Sequence, residues 1–230
     1  MSKIFIIGLP RTGTTSVCHA FLELGITTAH TAYTNACFEN ASAIADTPIF
    51  NDFKALDIHY PNSKFIYLER ELSAWLASIK QLLTRMHTNL TRGDGGFNIH
   101  IKRCYLNTFS ELSLNNISDD SYLTHCYKTH FNDAQTYFNN RDNDFLSIDI
   151  AKPESYKKLC NFLALKSDKT DFEKMNMGGK VTAWNDIKHP LKVESTAKGR
   201  IDKLLPYKIF KSNTLKSPAL LFKLYRTCLN

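Results

Sequence analysis

Gly8, Arg11, Gly13, Thr14 and Thr15 stand close together in the stretch IFIIGLPRTGTTS, residues 4–16. Their types suit one task, the gripping of a phosphate or a similar tetrahedral anion. A short apolar run breaks at Gly8, a turn carries Arg11, and a helix led by Thr14 and Thr15 follows. Backbone N–H groups near Gly13 then converge on an anion at the positive end of that helix, with the hydroxyls of Thr12, Thr14, Thr15 and Ser16 and one cation beside them. The spacing Gly8-x4-Gly13 is that of a nucleotide-binding P-loop, but Thr14 stands where enzymes that use ATP or GTP place lysine. Without that lysine the loop is poorly equipped for a triphosphate and better suited to a 5′-phosphate bearing a small group.

A second candidate lies in KFIYLERELSAWLAS, residues 64–78, where an apolar strand ends in Arg70 and Ser78 follows eight positions later inside a helical pattern. The hexapeptide Pro10 to Thr15, PRTGTT, resembles the 5′-phosphosulfate loop of the sulfotransferases, and the Arg70 to Ser78 spacing is similar to their 3′-phosphate site. Asp46-Thr47-Pro48, the run from Leu56 to Ile66, and residues 137–163 are similar to a soluble, bacterial-type branch of that family, so the resemblance spans most of residues 3–176.

The resemblance implies a sulfuryl transfer from 3′-phosphoadenosine 5′-phosphosulfate to a hydroxyl or amine of a carbohydrate or small metabolite. It implies that Arg11, Thr12, Gly13, Thr14, Thr15 and Ser16 hold the 5′-phosphosulfate and that Arg70 and Ser78 hold the 3′-phosphate. Arg11 falls where many members have lysine, a cation that neutralises charge on the departing phosphate; arginine is always protonated and supplies the charge as a planar fork. Many members flank the adenine with a tryptophan directly after the two threonines, whereas this chain has Ser16. Lys198-Gly199-Arg200 is similar to a late basic segment that clamps the 3′-phosphate in some members, but a solvated basic turn is the better account of three residues.

Other readings of the same residues stand beside this one. Thr14 and Thr15 could simply cap a helix, and Arg70 could pair with Glu69 or Glu71 on the surface. A small nucleotide kinase or hydrolase with a degenerate loop would need a magnesium-binding aspartate after a strand, which the sequence does not display clearly. A non-catalytic nucleotide-binding module would keep the cradle without the chemistry.

The base that accepts the acceptor's proton must lie opposite the leaving group. His30 and Asp46 fall between the two phosphate motifs, where an acceptor approaches, and His59 lies further along. The order of candidates is His30, Asp46, His59. His125 and His130 are five apart and do not share a helix face, and the transfer requires no metal, so none is expected.

The elements that must position these groups follow from the hydrophobic periods. Strands are expected at residues 4–7, 26–29, 64–68 and 144–148, with helices at 13–24, 35–44, 48–59, 72–86, 99–114, 119–139 and 153–163. That alternation is the grammar of an α/β fold, a three-layer P-loop NTPase-like parallel sheet with helices on both faces, ligands at the strand C-terminal ends and a helical substrate-side insertion. One domain over residues 1–230 is expected, with the insertion at about 88–140 and a basic C-terminal extension at about 188–230. The polar stretch from Thr88 to Asn98, with TRGDGG at its centre, reads as a lid or as a plain connector.

The net charge of +7 fits a polyanionic small ligand, and no nucleic-acid recognition motif accompanies it. The six cysteines form no C-x-x-C pair and read as reduced thiols. The opening apolar run is too short for a signal or a span, which makes the expected location cytoplasmic. The tail from Lys203 mixes leucines with lysines; contact with an anionic membrane is one reading, and packing on its own domain is the more common one.

Overall fold

The computed structural model describes residues 2–175 and 183–209. Five strands form one parallel sheet, β1 (Ile4–Ile6), β2 (Thr28–Ala29), β3 (Ala43–Ala45), β4 (Lys64–Glu69) and β5 (Phe145–Asp149), in the order β2-β3-β1-β4-β5. Helices α1 (Thr14–Glu23), α2 (Asn35–Asn40) and α3 (Ile49–His59) connect the first four strands. Between β4 and β5 the chain forms α4 (Leu72–Thr91), α5 (Ile99–Thr108), α6 (Leu114–Ser118) and α7 (Asp120–Tyr137). After the sheet come α8 (Ser155–Phe162) and the short α9 (Ala183–Asp186).

Alternation along the central strands sorts side chains onto two faces. Phe5, Ile7, Phe65 and Tyr67 pack on one face with Phe53 and Leu56 of α3 and Ala134 of α7. Ile6, Ile66, Leu68 and Ile148 face the other way, against Val17 and Phe21 of α1 and Tyr156 and Leu159 of α8. A sheet covered on both sides leaves the strand C-terminal ends as the place where a ligand can reach the backbone.

A third apolar cluster joins Trp75, Ile79, Leu83, Tyr105, Phe109 and Leu123 to Leu9 of the first loop and Phe50 of α3. The helices of the long insertion thus stand over the loop that follows β1. Lys102 donates to the carbonyls of Arg92 and Gly95, at 2.7 Å each, so the glycine-rich turn before α5 is tied to the helix it precedes.

The expected single helix over 35–44 is replaced by α2, which stops at Asn40, and by strand β3. Alanine favours helix locally. Here the N–H of Ile4 donates to Ser42 O at 2.8 Å and that of Ala43 to Thr27 O at 3.0 Å, so sheet pairing on both sides overrides the propensity.

The segment after α9 lies along the sheet edge. Thr28 N donates to Leu191 O and Val193 N to Thr28 O, Tyr207 Oη donates to buried Asp52 at 2.7 Å, and Leu205 is buried against the domain. The start of the basic tail therefore packs on its own domain; residues 210–230, including Cys228, lie outside the described part. No described helix is long and apolar enough to cross a membrane.

Gly8 closes the first strand against the fourth. A Cβ there would sit 2.7 Å from Leu68 Cβ and 2.8 Å from the Leu68 N and O, and backbone atoms cannot step aside. Gly8→Ala is therefore expected to destabilise the protein by roughly 3 kcal/mol, with a lowered urea midpoint and an unchanged m-value. A wild-type midpoint would show that β1 and β4 are not in this register.

Candidate functional site

Three carbonyls of the first loop are taken up by hydrogen bonds from side chains. Thr12 Oγ1 donates to Leu9 O at 2.7 Å, Trp75 Nε1 to Pro10 O at 3.0 Å, and Arg70 Nη1 to Arg11 O at 2.6 Å. Three consecutive carbonyls, those of Leu9, Pro10 and Arg11, are thus engaged, and Arg11 and Gly13 take left-handed φ of 74° and 101°. The N–H groups of the first turn of α1 have no carbonyl within the helix. Gly13 is favoured by its left-handed φ, and a Cβ there would also push against Ile150 Cδ1, the tip of a side chain. Among the hydroxyls, Thr12 serves the loop's own turn, and Ser16 Oγ accepts from the N–H of Met175 at 3.2 Å. The α1 cap is Gly13 and makes no side-chain bond, so Thr14 and Thr15 do not act as caps; both hydroxyls face His30.

The two anion motifs meet. Arg11 Nε donates to Ser78 Oγ at 2.7 Å, bridging 67 positions of sequence. The main chain of Arg70 is clamped by Tyr127 Oη of α7, which accepts from its N–H at 3.0 Å and donates to its carbonyl at 3.1 Å. Neither neighbouring glutamate pairs with Arg70: Glu69 accepts from Ser147 Oγ at 2.6 Å, and Glu71 accepts from the Ser73 and Ala74 N–H groups as the cap of α4.

Burial, then the charges of Arg70 and Arg85, press the Arg11 pKa below its ordinary value. Both act on Arg11 as like charges, and an anion beside Arg11 removes that cost. Arg85 escaped the sequence analysis. It lies seven residues past Ser78, two turns along the same helix, in a stretch that no motif marks.

Asp46 leaves the end of β3 beside the loop, because Ala45 pairs with Ile6. Its φ of 54° is left-handed, a strained state for a residue with a side chain, and such strain gathers at working sites. Asp46 Oδ1 accepts from Thr47 N at 2.7 Å and Thr47 Oγ1 at 3.1 Å, and Oδ2 lies 4.0 Å from His30 Nε2. That same Nε2 is 3.1 Å from Thr14 Oγ1 and 3.0 Å from Thr15 Oγ1, while the ring stacks on Trp184 at 5.6 Å.

Burial lowers the His30 pKa, the Asp46 charge opposes that, and Lys192 adds to it. Tyr33 and Tyr105 complete this side. Burial and then the Asp46 charge push both phenols upward, and Arg11 acts on Tyr105 in the opposite sense. Tyr33 also stacks nearly parallel on His100, with centroids 6.3 Å apart. Neither tyrosine belongs to a sequence motif.

Other candidates stay outside. His59 is exposed at the C-terminal end of α3, whereas Asp46 precedes the N-terminal end, about 16 Å away by helix rise. His125 is exposed, and His130 is wedged between Tyr67 Oη at 3.0 Å and Phe50 O at 2.8 Å, its pKa lowered by burial to about 4. Lys198, Gly199 and Arg200 form an exposed turn closed by paired Ala197–Arg200 bonds. His19, Glu23 and Glu173 gather at the other end of α1 from the loop, with His19 Nδ1 at 3.6 Å and 3.5 Å from the two carboxylates. The five described cysteines are all buried and unbridged.

What the arrangement can do chemically is bind a strongly anionic group against Arg11, Arg70, Ser78 and the start of α1, with a carboxylate and an imidazole on the neighbouring wall. A family model described as a sulfotransferase domain matches residues 3–36 and 31–181. No curated protein matches the chain.

Proposed function

Since the chain belongs to the sulfotransferase-domain family, we propose that it transfers a sulfuryl group from 3′-phosphoadenosine 5′-phosphosulfate to a hydroxyl or amine of a carbohydrate or small metabolite, and that it works in the cytoplasm. The single observation that supports the donor most is the meeting of the two anion motifs, in which Arg11 Nε donates to Ser78 Oγ at 2.7 Å and Arg70 Nη1 to the Arg11 carbonyl at 2.6 Å beside the first turn of α1. A doubly phosphorylated adenylate fits this set, because it carries one anionic group for the loop and another for Arg70 and Ser78. A triphosphate with magnesium does not, since Thr14 replaces the loop lysine.

When bound, the donor supplies a sulfur that accepts the acceptor's oxygen or nitrogen as its bond to the 5′-phosphate oxygen breaks. The chain's own residues do the rest. The first turn of α1 with Thr14 and Thr15 orients the 5′-phosphate, Arg70 and Ser78 hold the 3′-phosphate, and Arg11 stabilises charge on the departing oxygen. Asp46 takes the acceptor's proton at Oδ2, because Oδ1 is occupied by Thr47. His30 belongs to the same wall. Tyr33 and Tyr105 border the approach to Asp46, which makes them the acceptor-side surface.

Calorimetry tests the donor. Adenosine 3′,5′-bisphosphate should bind and ATP with magnesium should not compete. Arg70→Ala should weaken the bisphosphate about 30-fold or more, the value of a lost charge-assisted contact of about 2 kcal/mol. Preference for ATP, or equal affinity in the Arg70 variant, would overturn the assignment. A screen of acceptors with radiolabelled sulfuryl donor then identifies the second substrate.

A further inference from the structure

One nitrogen of His30 serves two hydroxyls, those of Thr14 and Thr15, at 3.1 and 3.0 Å. Each hydroxyl carries one proton and can also accept, so a neutral Nε2 can be satisfied here by an incoming O–H. A phosphate oxygen only accepts. When both threonines turn their protons toward an anion, they present lone pairs to His30, and Nε2 must then donate; the neutral Nε2–H tautomer and the imidazolium both do so, and the anion's charge together with that of Asp46 favours the imidazolium.

The surroundings accommodate the charged ring. From the turn after β3, Asp46 Oδ2 lies 4.0 Å from Nε2. From α9, the Trp184 indole stacks on the imidazole at 5.6 Å and 29°, a face that attracts a cation. α1 offers only the two hydroxyls. Lys192, from the segment past α9, is the one opposing charge among the described residues, and its ammonium is engaged by the carbonyls of Trp184 and Ile187 at 2.7 and 3.0 Å. Without a ligand, burial keeps the ring neutral near pH 7.

We propose that His30 takes up one proton from solvent as the anionic donor settles on Thr14 and Thr15, and releases it when the spent adenylate leaves. His30 then acts as a cationic hydrogen-bond donor on the leaving-phosphate side, and Asp46 alone serves as base toward the acceptor. This rests on the sulfuryl-donor reading above.

The test is calorimetric titration of adenosine 3′,5′-bisphosphate at about pH 7 in buffers of different ionisation enthalpy, comparing wild type with His30→Gln. The phosphates' own titration is common to both proteins. The wild type should take up about one proton more than the variant, and its affinity should fall about tenfold more per pH unit between the free and bound pKa values of the ring.

Equal proton uptake in the two proteins would overturn the proposal while leaving the donor reading intact. Absence of binding to wild type would sink the donor reading and the proposal together. Should His30→Gln misfold, imidazole NMR shifts of the wild type decide: conversion of His30 to imidazolium on saturation supports the proposal, and a ring that stays neutral refutes it.

Discussion

Arg11→Ala is expected to lower turnover of the sulfuryl donor by about 10²- to 10³-fold while changing adenosine 3′,5′-bisphosphate affinity only a few-fold. The asymmetry follows from where the residue makes its contacts. Its carbonyl, which accepts from Arg70 Nη1 at 2.6 Å, survives the substitution, so the partner cation and the loop keep their places. What disappears is the half-buried guanidinium, whose Nε donates to Ser78. A charge that matters most when negative charge grows on the departing oxygen is lost from the transition state and much less from the ground state.

Relief of repulsion among Arg11, Arg70 and Arg85 further offsets the loss in binding. Arg11→Lys should recover part of the rate, since it restores the charge without the fork. The measurement is single-turnover decay of radiolabelled donor with a screened acceptor. Undiminished turnover in Arg11→Ala would remove the residue from the chemistry.

For Asp46→Asn the expected loss is about 10²- to 10⁴-fold in kcat, with donor affinity near that of wild type. The replacement is isosteric, tolerates the left-handed backbone that Asp46 occupies at φ 54°, and leaves an oxygen to accept from Thr47. Folding should therefore be preserved, and a circular dichroism melt close to that of wild type is the control. If kcat holds in a folded Asp46→Asn protein, the acceptor's proton leaves by another route. Asp46→Ala is a poorer probe, because it also strips Thr47 of its partner and frees the turn that leads into α3.

Much of the candidate site was legible before any fold was known. The loop from Gly8 to Ser16 reads as an anion cradle because its glycines, hydroxyls and cation are neighbours in the chain, and the backbone that joins them leaves few arrangements. Arg70 and Ser78 read as a pair through the resemblance to the sulfotransferases' 3′-phosphate site, one closing an apolar strand and the other two turns into an amphipathic helix. The unbroken apolar run Phe65–Leu68, that of a strand buried on both faces, and the helical stripe through Trp75, Ile79 and Leu83 are both patterns that survive in a one-dimensional record.

What escaped has no period to betray it. Strand β3 is three residues long and built of Ala43, Ile44 and Ala45, which are at home in a helix until strands on both sides offer hydrogen bonds. Its placement beside β1 is what carries Asp46 to the loop, so the same oversight hid how close that carboxylate lies to His30. Arg85, Tyr33 and Tyr105 came from stretches without a motif.

The sequence by itself pointed to an anion as the ligand and set out the α/β alternation, because residue type and local spacing limit what a short segment can form and grip. Only the tertiary structure decided that Arg11 reaches Ser78, that His30 lies on the hydroxyls of Thr14 and Thr15, and that Asp46 faces both. Those contacts depend on the strand order β2-β3-β1-β4-β5, which sets the ends of distant segments side by side. The reason is physical: long-range pairing is chosen by the packing of the whole sheet, and no single segment carries that choice in its own residues.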